Sequence, residues 1–421
     1  MSDVAALALF GGAPVRKTPY PPARPYIDRE EHAAVGRVLD TGVLSGFIGA
    51  PGPSFLGGPE VRALEEQWAQ LGGYGTVVAV NSATAALHAG IAALELPQGA
   101  EVIVPTFTMS ATVAAVRMAG LVPRFADLDP ALFVLTADTV KPAITSDTVA
   151  IIVVHLFGQM APMSPLIKLA RSEGLAILED AAQAPGATQF GQWAGHGTAG
   201  AVYSFNQNKI ITCGEGGLLA TDEPSIALRA QLIRNHLESV IVAFPQVEAD
   251  NRVGWNYRLG EIEAAISHAQ TRKLQWLAAD RAALAERLTT ALRDIPGITP
   301  PETHPGNSHT YFSYAVRFDE AVWGCSRASV VEALQAEGVP CSAGYVAPLY
   351  RLPMFGVDAR RADFATRFPV TEQLADRELV LLSACRYPAT PDDLDTVAAA
   401  IEKCWDNRAD LAAADDKTAT P

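Results

Sequence analysis

AVYSFNQNKIITCGEGG, residues 201–217, decides how this chain is read. Its apolar start through Phe205 has the character of a buried strand. Lys209 is the one charged residue between Ser204 and Gly214. Gly214-Glu215-Gly216-Gly217 lets the chain turn tightly before a second apolar strand, Leu218–Thr221. A lone loop lysine is ordinarily solvated. In a semi-buried loop, however, burial disfavours the ammonium, and the neutral amine that results is a nucleophile. Upstream, residues 175–180 (LAILED) form an apolar strand that ends in two carboxylates, Glu179 and Asp180.

Working outward, apolar strands and helical patterns alternate from Val77 to Thr221. Val77–Val80, Glu101–Pro105, Arg124–Asp127, Ala150–His155, Ala176–Asp180, Ala201–Phe205 and Leu218–Thr221 read as short buried strands. Ala83–Leu94, Ala111–Gly120 and Met163–Glu173 read as helices between them. Such alternation predicts an α/β fold, with a large, mostly parallel sheet covered by helices on both faces. Residues 222–290 read as helices, including the long Leu259–Arg293 region. After Ile295-Pro296-Gly297 the pattern becomes α+β: a strand over Tyr311–Phe318, a Ser-capped helix over Ser326–Glu337, and a last helix over Asp392–Trp405 with Thr390 as cap. The expected organisation is an N-terminal arm (1–24), a large domain with linking helices (25–290), a smaller C-terminal α+β domain (291–406) and a disordered tail (407–421).

The 421 residues suffice for two such domains, and a net charge of -14 argues against nucleic acid as a partner. Five scattered cysteines without metal spacing fit reduced thiols and a cytoplasmic location. No apolar run reaches the length of a membrane span, and the apolar stretch near the N-terminus lacks the flanks of a signal peptide. The eight histidines form no HxxxH or HxH pair, so no metal is expected.

Several loops leave carboxyl ends of the expected strands, where open α/β sheets bind ligands. Asn81-Ser82-Ala83-Thr84 opens a helix, and free N–H groups there suit an anion. Phe107 follows the next strand and can stack on a flat ring. Gln183, three residues after Asp180, can donate to a phenolate-type oxygen. Ser204 can bind phosphate. A lysine amine with a carboxylate to pair a pyridinium nitrogen is the requirement of pyridoxal 5'-phosphate (PLP) chemistry.

EDAAQAPGA (179–187), SFNQNKIITCGEGG (204–217), RNH (234–236), GWNYRLGEIEAA (254–265) and the 43–68 stretch resemble the DegT/DnrJ/EryC1/StrS family of PLP-dependent sugar aminotransferases, of fold type I. The resemblance runs from about Pro25 to Trp405. It implies Lys209 as the Schiff-base lysine, Asp180 as the pyridinium partner, Gln183 at the ring hydroxyl and Phe107 on the ring. Ser82, Ala83, Thr84 and Ser204 are implied at the phosphate. Asn256, in Gly254-Trp255-Asn256, is implied to reach the cofactor of a second subunit, hence a homodimer. His309, Tyr311 and Tyr345 are candidates for the acceptor pocket.

The implied activity is ping-pong transfer of an amino group from L-glutamate or L-glutamine to a nucleotide-linked keto-deoxysugar. A keto-cyclitol of the scyllo-inosose type is the alternative acceptor, and a non-catalytic PLP- or sugar-binding regulator the alternative of another class. Sugar dehydratases of the same fold carry histidine in place of the lysine, so Lys209 argues for transamination. Pro185, Trp255 and Gly344-Tyr345…Pro348-Leu349-Tyr350 depart from the commoner family patterns near the substrate region.

Overall fold

Seven strands build the main sheet: β1 (Thr76–Val80), β2 (Glu101–Pro105), β3 (Val122–Ala126), β4 (Thr148–Val154), β5 (Ala176–Asp180), β6 (Gly200–Ser204) and β7 (Gly217–Thr221). The computed structural model describes residues 6–247, 253–355 and 363–418. All seven strands lie where the sequence places them, with ends shifted by a residue or two. Their order is β1-β7-β6-β5-β4-β2-β3. β7 runs antiparallel to both its neighbours, and the remaining pairs are parallel.

Side-chain alternation assigns each strand to two cores. Val77 and Ala79 of β1 and Ile151 and Val153 of β4 face one core, with Trp68, Leu166 and Leu277. Val78 and Val80 of β1 and Ala150 and Ile152 of β4 face the other, with Leu87, Ile91 and Val116. Burial on both faces explains why the strands read as continuous apolar runs.

The second sheet joins β8 (Ile298–Thr299), β9 (Tyr314–Phe318), β10 (Cys341–Ala343) and β11 (Leu379–Leu382) in the order β10-β11-β9-β8. Its core holds Tyr314, Val316, Val380, Leu382, Trp323 and Val397. Leu7 of the N-terminal arm is buried in it, and the arm is tied down by the Ala8 and Val15 N–H groups on the Glu337 carboxylate. Among the described residues no helix is long and apolar enough to cross a membrane.

Four expectations need correction. The tail is not disordered: Arg408–Thr418 is a helix. Leu411 is buried in the small-domain core, and Asp415 accepts hydrogen bonds from Ser326 and Ser329. Two anchored residues suffice where the composition shows no apolar face; residues 419–421 lie outside the described ones. The strand expected from Tyr311 begins at Tyr314, because Tyr311 has a left-handed φ of 46° that cannot extend into a strand. The Leu259–Arg293 region is two helices, Glu261–Thr271 and Leu274–Leu292. Lys273 sits between them, its Nζ paired with Glu31 at 2.6 Å. The division at residue 290 is also not a clean cut. Leu284, Leu288 and Leu292 belong to the small-domain core, while Tyr350, Phe355, Phe364 and Phe368 pack into the large one around Phe125.

Candidate active site

The carboxyl ends of β1, β2, β5 and β6 deliver Ser82, Phe107, Asp180 and Ser204 to one edge of the sheet. Because β7 is antiparallel, its first residue, Gly217, lies at that same edge, opposite Val80 of β1 and Ser204 of β6. A Cβ on Gly217 would stand 2.4 Å from the Ala83 nitrogen and 2.5 Å from the Ser82 carbonyl carbon. Only glycine allows this approach.

Ser82 caps the helix Ala83–Ala93, its Oγ accepting from the Ala85 N–H at 3.1 Å. The Ala83 and Thr84 N–H groups precede the first intrahelical bond and remain for an anion. Buried Ser204 accepts from the Asn206 N–H at 3.3 Å. Asn81 binds the segment carrying Asn256: its N–H meets the Tyr257 carbonyl at 2.9 Å and its Nδ2 the Asn256 carbonyl at 3.4 Å. The Asn256 side chain is exposed.

Asp180 is buried at the end of β5. Its Oδ1 accepts from the Ala182 N–H at 3.1 Å and its Oδ2 from the Thr112 hydroxyl at 3.0 Å. Burial pushes its carboxyl above the usual range, against the pull of these donors and of the Lys209 charge. Beneath it, the His155 N–H donates to the Asp180 carbonyl at 3.0 Å, and His155 Nε2 meets Glu179 Oε2 at 2.8 Å.

Lys209 follows β6 in a loop closed by Gly214, whose φ is 94°. Its Nζ lies 4.5 Å from the centroid of the Phe312 ring. Burial pulls its pKa down to about 8, with the Asp180 charge opposing. A substantial fraction of Lys209 is therefore neutral amine near pH 8, the form that attacks carbonyls.

Gln183 bridges two walls. Its Oε1 accepts from the Phe157 N–H at 2.9 Å and its Nε2 donates to the Tyr345 hydroxyl at 3.1 Å. The Tyr345 ring meets Phe107 and Phe157 edge-on, at 6.1 and 5.5 Å between centroids. Phe157 holds a left-handed φ of 60° to make this contact.

The three acceptor-pocket candidates therefore part ways. Tyr345 joins Gln183 and Phe107. Tyr311 shares a wall with Asn208, Phe312 and Arg386. His309 stacks on Tyr311 at 3.9 Å and lines a small void with Leu156, Phe157 and Gln159, one that Lys209 does not line. Burial drives its imidazole down to about 3, so it stays neutral.

Two features were not foreseen. Thr112, in the helix after Phe107, holds Asp180. Phe312 covers the Lys209 amine. Thr112→Val keeps the shape and removes the donor, leaving one Asp180 oxygen unbonded. Turnover is expected to fall about tenfold, and the acid limb of the pH–rate profile to move upward. An unchanged profile would contradict the role.

A family model described as the DegT/DnrJ/EryC1/StrS aminotransferase family matches residues 29–402. Among solved structures, DesI, determined in the presence of its TDP-sugar product, is 31% identical. The match covers 97% of this chain and 98% of DesI, with a TM-score of 0.83. DesV of S. venezuelae is 29% identical over 92% of this chain and 99% of that one, with a TM-score of 0.77. 3-Amino-5-hydroxybenzoic acid synthase is 28% identical over 93% of this chain and 100% of that one, with a TM-score of 0.79. With the family match running through every loop that meets at this sheet edge, the chain belongs to the DegT/DnrJ/EryC1/StrS aminotransferase family and is a PLP-dependent aminotransferase.

Proposed function

We propose that this enzyme transfers an amino group from L-glutamate or L-glutamine to a nucleotide-linked keto-deoxysugar, in the cytoplasm, for aminosugar biosynthesis. The observation that carries the reading is a buried Asp180, held by Thr112 and Ala182, whose charge acts on a Lys209 amine that burial pulls down to about 8. Similarity to DesI, which was solved with its TDP-sugar product, supports a nucleotide sugar as acceptor.

The residues present fit PLP. A buried carboxylate with two donors and no bonded cation suits a pyridinium N–H, and that is Asp180. Phe107 and Gln183 would hold the ring; Ser82, Ala83, Thr84 and Ser204 would hold the phosphate. The exposed side chain of Asn256 suits a contact to the site of a second copy, so the working form is a homodimer. When bound, PLP supplies the electron sink that makes the donor's α-proton acidic. Lys209 Nζ takes that proton in one half of the cycle and, in the other, delivers a proton to the carbon that receives the amine. Asp180 keeps the ring nitrogen charged throughout, and the Phe107, Phe157 and Tyr345 rings exclude water from that end of the site.

Two experiments test this. PLP uptake by the cofactor-free protein should quicken about tenfold per pH unit up to about pH 8 and level off above it, as Lys209 loses its proton. A rate independent of pH from 6 to 9 would contradict the neutral amine. The acceptor is found by running the reaction backwards, mixing PLP-loaded enzyme with aminosugar nucleotides and aminocyclitols and watching the bound-PLP absorbance. Loss of the band with an aminosugar nucleotide is expected. Loss with aminocyclitols alone overturns the sugar assignment.

A further inference from the structure

Beside Lys209 the structure opens a cleft of about 160 Å³. Arg24, Arg281 and Arg386 stand in its wall with Asn208, Asp280 and Tyr387. Arg281, on the helix Leu274–Leu292, is only 9% exposed. Arg386, just after β11, is half-buried, and Arg24 is exposed, its guanidinium 5.7 Å from the Tyr387 ring centroid. Among the described residues none of the three guanidinium groups forms an ion pair. The other buried cations do: Arg234 meets Glu65 at 2.6 Å and Lys273 meets Glu31 at 2.6 Å. Arg281 is left with two long bonds from Nη1, to the Tyr311 and Phe312 carbonyls at 3.4 and 3.5 Å. Burial and the nearby Arg386 charge pull its pKa down to about 10. Asp280 lines the same cleft and burial pushes its carboxyl up, but among the described residues it forms no ion pair with any of the three arginines. Buried charges are ordinarily paired, so this cleft holds cations that await an anion.

We propose that Arg281 and Arg386 bind the two carboxylates of a dicarboxylic amino donor, making glutamate the donor in preference to glutamine. The inference rests on the transamination reading above. The donor's α-carboxylate is bonded to the carbon whose proton Lys209 takes, so its binding group must lie beside Lys209, and Lys209 lines this cleft. The cleft has room for a small organic acid; a cavity of about 150 Å³ holds one benzene ring. Two neighbouring guanidinium groups repel, and two carboxylates on one molecule relieve both charges through bidentate bonds. The side-chain amide of glutamine would leave one of them unanswered.

The test uses PLP-loaded enzyme, following bound-PLP absorbance in single turnovers with glutamate, glutamine and an aminosugar nucleotide. Calorimetry with glutarate and its monoamide, glutaramate, reads binding without reaction. Wild type should favour glutamate over glutamine by tenfold or more in kcat/KM, and bind glutarate but not glutaramate. Arg386→Gln and Arg281→Gln should each lower kcat/KM for glutamate about 10- to 100-fold, abolish glutarate binding and lower the aminosugar half-reaction by a smaller factor. Arg386→Lys should recover part of the loss. Arg386 is half-buried without ion pairs, so its variant reports even where Arg281→Gln fails to fold. Unchanged glutamate kinetics in Arg386→Gln overturn the inference. So does a loss confined to the aminosugar nucleotide, which would assign the arginines to a phosphate. Should wild type react with neither amino acid, the transamination reading itself fails, while glutarate binding still reports on the arginines.

Discussion

Lys209→Ala leaves a folded protein that transfers amine about 10⁴-fold more slowly, the upper range for loss of a positioned proton-transfer group. The fold should survive because among the described residues the Lys209 side chain makes no ion pair, and its loop is held by backbone bonds, the Lys209 N–H to the Asn206 carbonyl at 2.9 Å and the Gln207 N–H to the Gly214 carbonyl at 2.9 Å. Removing an amine whose charged form is disfavoured by burial costs the cofactor-free protein little. The absorbance of bound PLP should change as well, since the covalent link has gone. Added methylamine should restore part of the turnover, as a free amine can enter the space left open. Retention of full turnover would exclude Lys209 as the reacting amine.

Asp180→Asn should lower turnover about 10³-fold, the scale of losing one preorganised electrostatic group. An amide cannot hold the ring nitrogen in its protonated form, so the electron sink fails while binding persists. The same change should leave the cofactor-free protein as stable as wild type or more so. Asp180 is buried with its carboxyl pushed up, and in the variant the amide Oδ1 can still accept from the Ala182 N–H while Nδ2 donates to the Thr112 hydroxyl oxygen. Linkage gives the sign: a raised folded-state pKa means stability present at low pH is lost as pH rises through the folded value. The wild-type apoprotein should therefore weaken with rising pH across that window, and Asp180→Asn should flatten this dependence. Thermal melting of both cofactor-free proteins from pH 4 to 8 reads it directly. A marked loss of stability in the variant would mean that Asp180 serves the fold, not the cofactor. Stability given up at a reactive site is a common trade.

The sheet and its loops are legible because most strands are short, largely apolar runs. Both faces of the sheet are buried, so nothing interrupts the runs. Asp180 stands out because it closes such a run with a charge, and Lys209 because it is the one charge between Ser204 and Gly214 in the loop that follows one. Thr112 sits in the helix that connects β2 to β3, and only the sheet order, with β4 alone between β2 and β5, brings it near Asp180. Arg281 and Arg386 are more than a hundred residues apart in sequence and share no motif. They meet because the helix Leu274–Leu292 spans both domains. Tyr311 escaped the pattern because its strand-like composition is overruled by a left-handed turn that seats it on His309. The C-terminal helix is held by Leu411 and Asp415, tertiary contacts that leave almost no periodic trace.

Borohydride reduction of the PLP-loaded protein makes the lysine–cofactor link permanent, and peptide mass spectrometry then locates it. The phosphopyridoxyl label should fall on Lys209 alone, within residues 204–217. Label on another lysine, with Lys209 unmodified, would contradict the site described for this enzyme.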